Sequence, residues 1–205
     1  MHFQIPFLFI LSVLFLMFLS HRRNQQTRNQ QEVNRSFLER ERMADNTRKQ
    51  DISGLDFLDY NSKRLPLGKY EDEALKDLET YLAKMDGKRI INLTKYSNTD
   101  LKLMYGPANL KRLTKYDDRY FRLSKTLALY AQRHEQLGHI EEAAAVYEYA
   151  MELKVPLSQI YISLAKLYQA QGTPEKIDAI RQAVSSMDEE AGLASVLQKL
   201  DVFEK

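Results

Sequence analysis

Two glycines set the strongest limit on how this chain can fold. Gly138 and Gly172 stand 34 residues apart, and LALYAQRHEQLGHIEEAAAVYEYA around the first runs in register with YISLAKLYQAQGTPEKIDAIRQAV around the second. In that register Leu127 aligns with Tyr161, Tyr130 with Leu164, Ala131 with Ala165, His134 with Tyr168, Glu141 with Glu175 and Ala143 with Ile177. A period of this length marks a supersecondary unit that cannot bury its apolar face alone and must stack on a neighbour. Apolar residues recur at helical spacing on both sides of each glycine, so each glycine is expected to end one helix by taking a positive φ. The small residues Ala131, Ala143, Ala150 and Ala165 let paired helices approach, while the large ones fill the gaps between them. Thr173, Pro174 and Glu175 read as a cap and an N1 proline for the helix that follows Gly172.

These positions resemble the tetratricopeptide repeat (TPR) family. Leu127, Tyr130, Ala131, Gly138, Ala143, Tyr147 and Ala150 match its pattern in type, with Pro156 one place late. Tyr161, Leu164, Ala165, Tyr168 and Gly172 match in the second copy, whose second helix departs from the pattern by carrying Arg181 where an aromatic is usual. The likeness covers residues 124–190, roughly a third of the chain. It implies helical hairpins whose first helices line a concave, protein-binding surface. The matching positions are Lys125, Ala128, Gln132 and Glu135 in the first copy and Gln159, Ile162, Lys166 and Gln169 in the second. TPR domains that clamp the C-terminal carboxylate of heat-shock chaperones carry an Asn at a place held here by Leu129 and Ser163, so that activity is not expected.

Two copies are fewer than the three usually needed for a stable stack, so residues 70–122 are expected to supply another packing layer, as a helical N-terminal cap or a degenerate repeat. Ala74, Leu75, Leu78, Tyr81, Leu82 and Met85 form a helical stripe closed by Gly87. KRIINLTKY reads as a shorter helix, SNTDLKLMYG as a capped helix ending at Gly106, and Pro107 as the start of another through Lys115. A further helix is expected from Asp117 to Gly138. Residues 51–69 lack a helical period but carry Leu55, Phe57, Leu58 and Leu65, which fits an extended strap packed on the domain. Ser186 and Glu189 read as a capping box for a helix over 186–203 that closes the open end.

The N-terminus has a different character. From Phe3 to Leu19 only Gln4, Pro6 and Ser12 interrupt an apolar run. As a helix it reaches roughly 26 Å, just short of a ~30 Å hydrocarbon core. Residues 3–20 are therefore expected to be a transmembrane signal-anchor; the alternative, a cleaved signal peptide, lacks its basic start and its small-x-small cleavage site. Arg22, Arg23, Arg28, Arg35, Arg40, Arg42, Arg48 and Lys49 follow the run and no Lys or Arg precedes it, which places a single-pass protein's C-terminal body in the cytoplasm. Residues 21–50 read as a basic, polar juxtamembrane linker, in part helical through RSFLERERMA.

Chemistry is scarce. The 205 residues include no cysteine, which removes disulfides, thiolate ligands and thiol nucleophiles, and a net charge of +2 offers no strong field for nucleic acid. No Gly-rich phosphate loop or nucleophile elbow occurs. RHEQLGHIEE looks like the zinc signature H-E-x-x-H, but His134 and His139 are five residues apart, about 140° around an ideal helix, with Gly138 between them. His134 is expected to pack in the place of Tyr168 and His139 to be an exposed turn residue. Asp117-Asp118 and Glu189-Glu190 suit helix starts. The expected fold is all-α: a transmembrane helix, then a short TPR-like hairpin array with a C-terminal capping helix. The expected function is a non-catalytic scaffold without cofactor or metal, holding a protein or peptide partner at the membrane. The alternative is a structural or assembly subunit of a membrane complex.

Overall fold

A computed structural model of the chain describes residues 15, 17, 22, 30–187 and 193–201. All regular structure among the described residues is helical, without strands. The expected membrane segment, 3–20, lies outside them apart from Phe15 and Met17, both helical. Among the described residues no helix is long and apolar enough to cross a membrane.

The chain divides into two compact units, Met1–Asp51 with Ser97–Leu110, and Ile52–Tyr96 with Lys111–Lys205. In the first, helix α1 covers 30–45, so the expected linker is helical over half its length. Its last turns pack on α3, Asn98–Tyr105. Ala44 is fully buried, Arg40 pairs with Asp100 at 2.5 Å, and Lys102 reaches Glu41 at 2.9 Å and Asp45 at 2.8 Å. Ser97 and Asp100 form the capping box that starts α3. Gly106 ends it at φ 81°, where an added Cβ would stand 2.8 Å from the Lys49 Cα; only glycine fits a backbone crossing that close. Asn109 is fully buried and donates to the Gln50 and Tyr105 carbonyls, each at 2.7 Å.

The second unit holds the main core. The strap region has no α-helix; it carries a 3₁₀ turn at Ser62–Arg64 and turns at 53–54 and 67–68. It is tied down by Tyr60 donating to the Leu82 carbonyl at 3.0 Å and by the Asn61 N–H donating to the Tyr149 hydroxyl at 2.7 Å. Helix α2, Glu73–Lys84, begins at Asp72, whose carboxylate accepts the Leu75 N–H at 2.9 Å. Leu75 and Leu82 are buried, whereas Ala74, counted in the apolar stripe, is exposed.

Two expectations about the next stretch fail. Residues 88–96 form no regular helix. The β-branched pair Ile90-Ile91 has little helix preference, and its backbone has other partners. The Leu58 N–H donates to the Ile90 carbonyl at 2.8 Å, and the Ile91 N–H meets the Tyr116 carbonyl at 3.5 Å. The two helices expected over 107–115 and from 117 are one, α4, Pro107–Gln136, 30 residues long. Asp117 looked like the cap of a new helix, but its carboxylate caps the 88–96 segment instead, accepting the Leu93 N–H at 2.8 Å.

Helices α5, Ile140–Glu152, and α6, Ser158–Ala170, follow, then a 3₁₀ turn at Pro174–Lys176, α7, Ile177–Ser185, and α8, Ala194–Leu200. Ala131, Ala143, Ala150 and Ala165 are all fully buried at the close approaches. The expected capping by Thr173 is absent: its hydroxyl turns back to the Tyr168 carbonyl at 3.3 Å, and the following residues start as a 3₁₀ turn. Ser186 does not start the last helix either. It ends α7, donating to the Ala183 carbonyl at 2.7 Å, while Glu189 lies outside the described residues. Helix α8 packs against α6 and α7 and buries Val196 and Leu200 completely.

Candidate functional site: the paired helix rows

The 34-residue register reappears in the backbone of the second unit. Gly138 takes φ 78° and Gly172 takes φ 71°. After the first, the His139 N–H donates to the His134 carbonyl at 2.9 Å; after the second, the Thr173 N–H donates to the Tyr168 carbonyl at 2.9 Å. This is the same six-to-one helix end twice, which returns the chain along the helix it has just left.

That repetition sets α4 and α6 as equivalent first helices. Their link is Tyr147 on α5, which is fully buried. Its hydroxyl donates to Glu135 of α4 at 3.0 Å and also lies against Ser163 of α6. Burial, first of all, holds the phenol above its ordinary range, so it stays a neutral donor. Lys125, Gln159, Lys166 and Gln169 are exposed, and Gln132 and Glu135 are half-buried. Ala128 and Ile162 are half-buried too and pack against the core. Glu135, the carboxylate among the eight, is engaged by Tyr147.

The repeat pattern missed Phe121. It is 67% exposed, the most exposed large apolar side chain of α4, and stands one turn before Lys125 on the same row. The helical period carries the signal, because Phe121 precedes Lys125 by four residues within the helix expected from Asp117. Leu129 is also exposed, at 43%.

Of the two histidines, His134 falls as expected and His139 does not. His139 is not an exposed turn residue. Because the chain reverses at Gly138, its Nδ1 comes within 3.3 Å of the His134 Nδ1, although five residues on a continuous helix would hold the rings apart. Tyr70 stacks on His139 with centroids 3.6 Å apart and donates its hydroxyl to Glu142 at 2.8 Å. His134 is fully buried, as its alignment with Tyr168 implies, and burial, with His139 beside it, lowers its pKa. Around it Arg133 pairs with Asp72 at 2.5 Å, and Tyr130 donates to Glu79 at 2.9 Å and to the Pro66 carbonyl at 3.1 Å. Among the described residues no group of three or more His, Cys, Asp or Glu side chains could hold a metal. The cluster joins the strap and α2 to the first hairpin.

No family model, no curated protein and no solved structure matches the chain. The molecule's class therefore rests on its own geometry: an all-helical, repeat-like body.

Proposed function

We propose that the chain is a membrane-anchored adaptor of the TPR type, without catalytic activity, that holds a protein or peptide partner at the cytoplasmic face. The observation that carries this reading is that Tyr147 of α5 reaches Glu135 of α4 and lies near Ser163 of α6, while Lys125, Gln159, Lys166 and Gln169 on those two helices are exposed and Ala128 and Ile162 are half-buried. Exposed amide and ammonium groups with half-buried apolar ones suit an extended segment or a partner helix. The apolar run before Ser20 and the arginines after it support the anchor and its orientation. Confinement to the same membrane raises the effective concentration of a partner there.

The test is affinity capture with the full chain extracted in mild detergent, using wild type and a triple variant, Lys125→Ala, Gln159→Ala, Lys166→Ala. A specific partner recovered by the wild type and lost by the variant is the expected result. Equal recovery by both baits, or no enriched partner with either, would sink the reading.

A further inference from the structure

A second group of side chains lies on the other side of α4. Phe57 of the strap and Tyr116 of α4 meet edge to face, with centroids 5.6 Å apart at 86°. The Arg89 guanidinium lies 5.2 Å from the Phe57 centroid and that of Arg119 lies 5.7 Å from the Tyr116 centroid. Arg119 also donates to the Arg89 carbonyl at 3.0 Å, which ties α4 to the 88–96 segment. Arg112, one turn before Tyr116, sits beside the phenol and holds it below its ordinary range, with Arg89 adding to the effect. Three guanidinium groups thus gather around one buried ring.

Arg89 and Arg112 are exposed and Arg119 is half-buried, so water and salt screen part of their repulsion, yet three clustered cations still favour an anion among them. Among the described residues no carboxylate forms an ion pair with Arg89, Arg112 or Arg119. Asp117, next in sequence to Tyr116, is occupied by the Leu93 N–H. Ring stacking engages the face of a guanidinium; of the N–H groups on their edges, Arg119 spends one on the Arg89 carbonyl, and Arg112 and Arg89 each turn one to the Tyr116 hydroxyl, which leaves further donors on all three. A single carboxylate is matched by one such fork, whereas a phosphate monoester brings nearly two charges and three strong acceptor oxygens.

We propose that Arg89, Arg112 and Arg119, with the Tyr116 hydroxyl, bind a phosphoryl anion, either a soluble phosphate monoester or the phosphate of a lipid headgroup. On an ideal helix Arg119 lies about 160° around α4 from Phe121, so the site is separate from the paired rows and stands whether or not they bind protein.

The test measures the thermal midpoint of the full chain in neutral detergent at constant ionic strength, titrated with sodium phosphate, glycerol 3-phosphate or dihexanoyl phosphatidic acid against a chloride reference. A ligand that binds the folded state alone raises the midpoint. The wild type is expected to be stabilised by phosphate over chloride. Arg112→Gln and Arg119→Gln should each weaken binding about tenfold, and Lys76→Gln, an exposed cation of α2, should leave it unchanged. Tighter binding of the short-chain lipid than of glycerol 3-phosphate assigns the headgroup as the source; equal binding assigns the soluble monoester. No stabilisation of the wild type beyond chloride by any of the three probes overturns the proposal. So does equal stabilisation of the arginine variants, or a loss in Lys76→Gln as large as theirs. The binding of a protein at Lys125, Gln159 and Lys166 is read by capture and is unaffected by any of these outcomes.

Discussion

The two hairpins share one backbone design and differ in what fastens them. In the first, α4–α5, groups from residues 66–79 converge near the turn: Tyr70 on His139 and Glu142, Asp72 on Arg133, and the Glu79 carboxylate and Pro66 carbonyl on Tyr130. In the second, α6–α7, the equivalents of Tyr130 and His134 are Leu164 and Tyr168, and Tyr168 donates to Glu148 of the neighbouring α5 at 2.7 Å. Closure from beyond comes from α8, with Arg181 pairing to Asp201 at 2.8 Å. The first turn is thus held by groups that precede α4 in the chain, and the second by the helices that neighbour it in the array. The largest expected effect probes that contrast. Tyr130→Ala should cost about 3–5 kcal/mol and Leu164→Ala about 2–5 kcal/mol in denaturant unfolding. Tyr130→Phe isolates the polar share, with an expected loss of about 1 kcal/mol. A Phe variant as stable as wild type would break the contrast, because the strap would then contribute nothing through that hydroxyl.

Smaller effects test the likeness rather than the difference. Gly138→Ala and Gly172→Ala meet open space, so backbone strain at positive φ is the whole cost, about 1–2 kcal/mol at each site. Clearly unequal losses would mean that the two turns are not equivalent. The pH response should then separate them again. His134 has a lowered pKa when folded, so as pH falls below about 6.5 the unfolded chain takes up the proton first and stability drops. His134→Phe, which keeps an aromatic ring there, should flatten the dependence of the urea midpoint between pH 7.5 and 5.5. Asp72 behaves differently. Arg133, with the Leu75 N–H, holds it at about 2, below the ~3.9 of an unfolded chain, so its contribution is present above that value and is lost as pH falls toward 2. An Asp72→Asn variant should lose that acid-range dependence while keeping the His134 response.

What could be read in advance follows the range of the contacts involved. The stripe of α2, the glycine turns and the buried alanines depend on neighbours within a few turns, and period and residue size reveal them. His139 and the course of 88–96 depend on partners far along the chain. Nothing near Asp117 indicates that its carboxylate serves Leu93 rather than a helix of its own. The spacing of His134 and His139 rightly excludes one continuous helix face, yet the same Gly138 that breaks the helix folds the second ring back onto the first. The eight row positions follow from the TPR resemblance, but Tyr147 was legible only as an aromatic match to the repeat pattern, because its hydrogen bonds require the packed structure.

The smallest expected effect bears on how the rows are judged. Lys125, Gln159 and Lys166 are exposed and take part in no hydrogen bond or ion pair found among the described residues. Replacing each with Ala should change the unfolding free energy by no more than about 0.5 kcal/mol. Glu135→Ala should cost more, because it strips the Tyr147 hydroxyl of its acceptor on α4. A binding defect in the triple variant with an unchanged urea midpoint then reports on recognition alone. A shift well above that limit would make the three side chains part of what holds α4 and α6 together, and the face would be a load-carrying seam of the fold rather than a surface kept free for a partner.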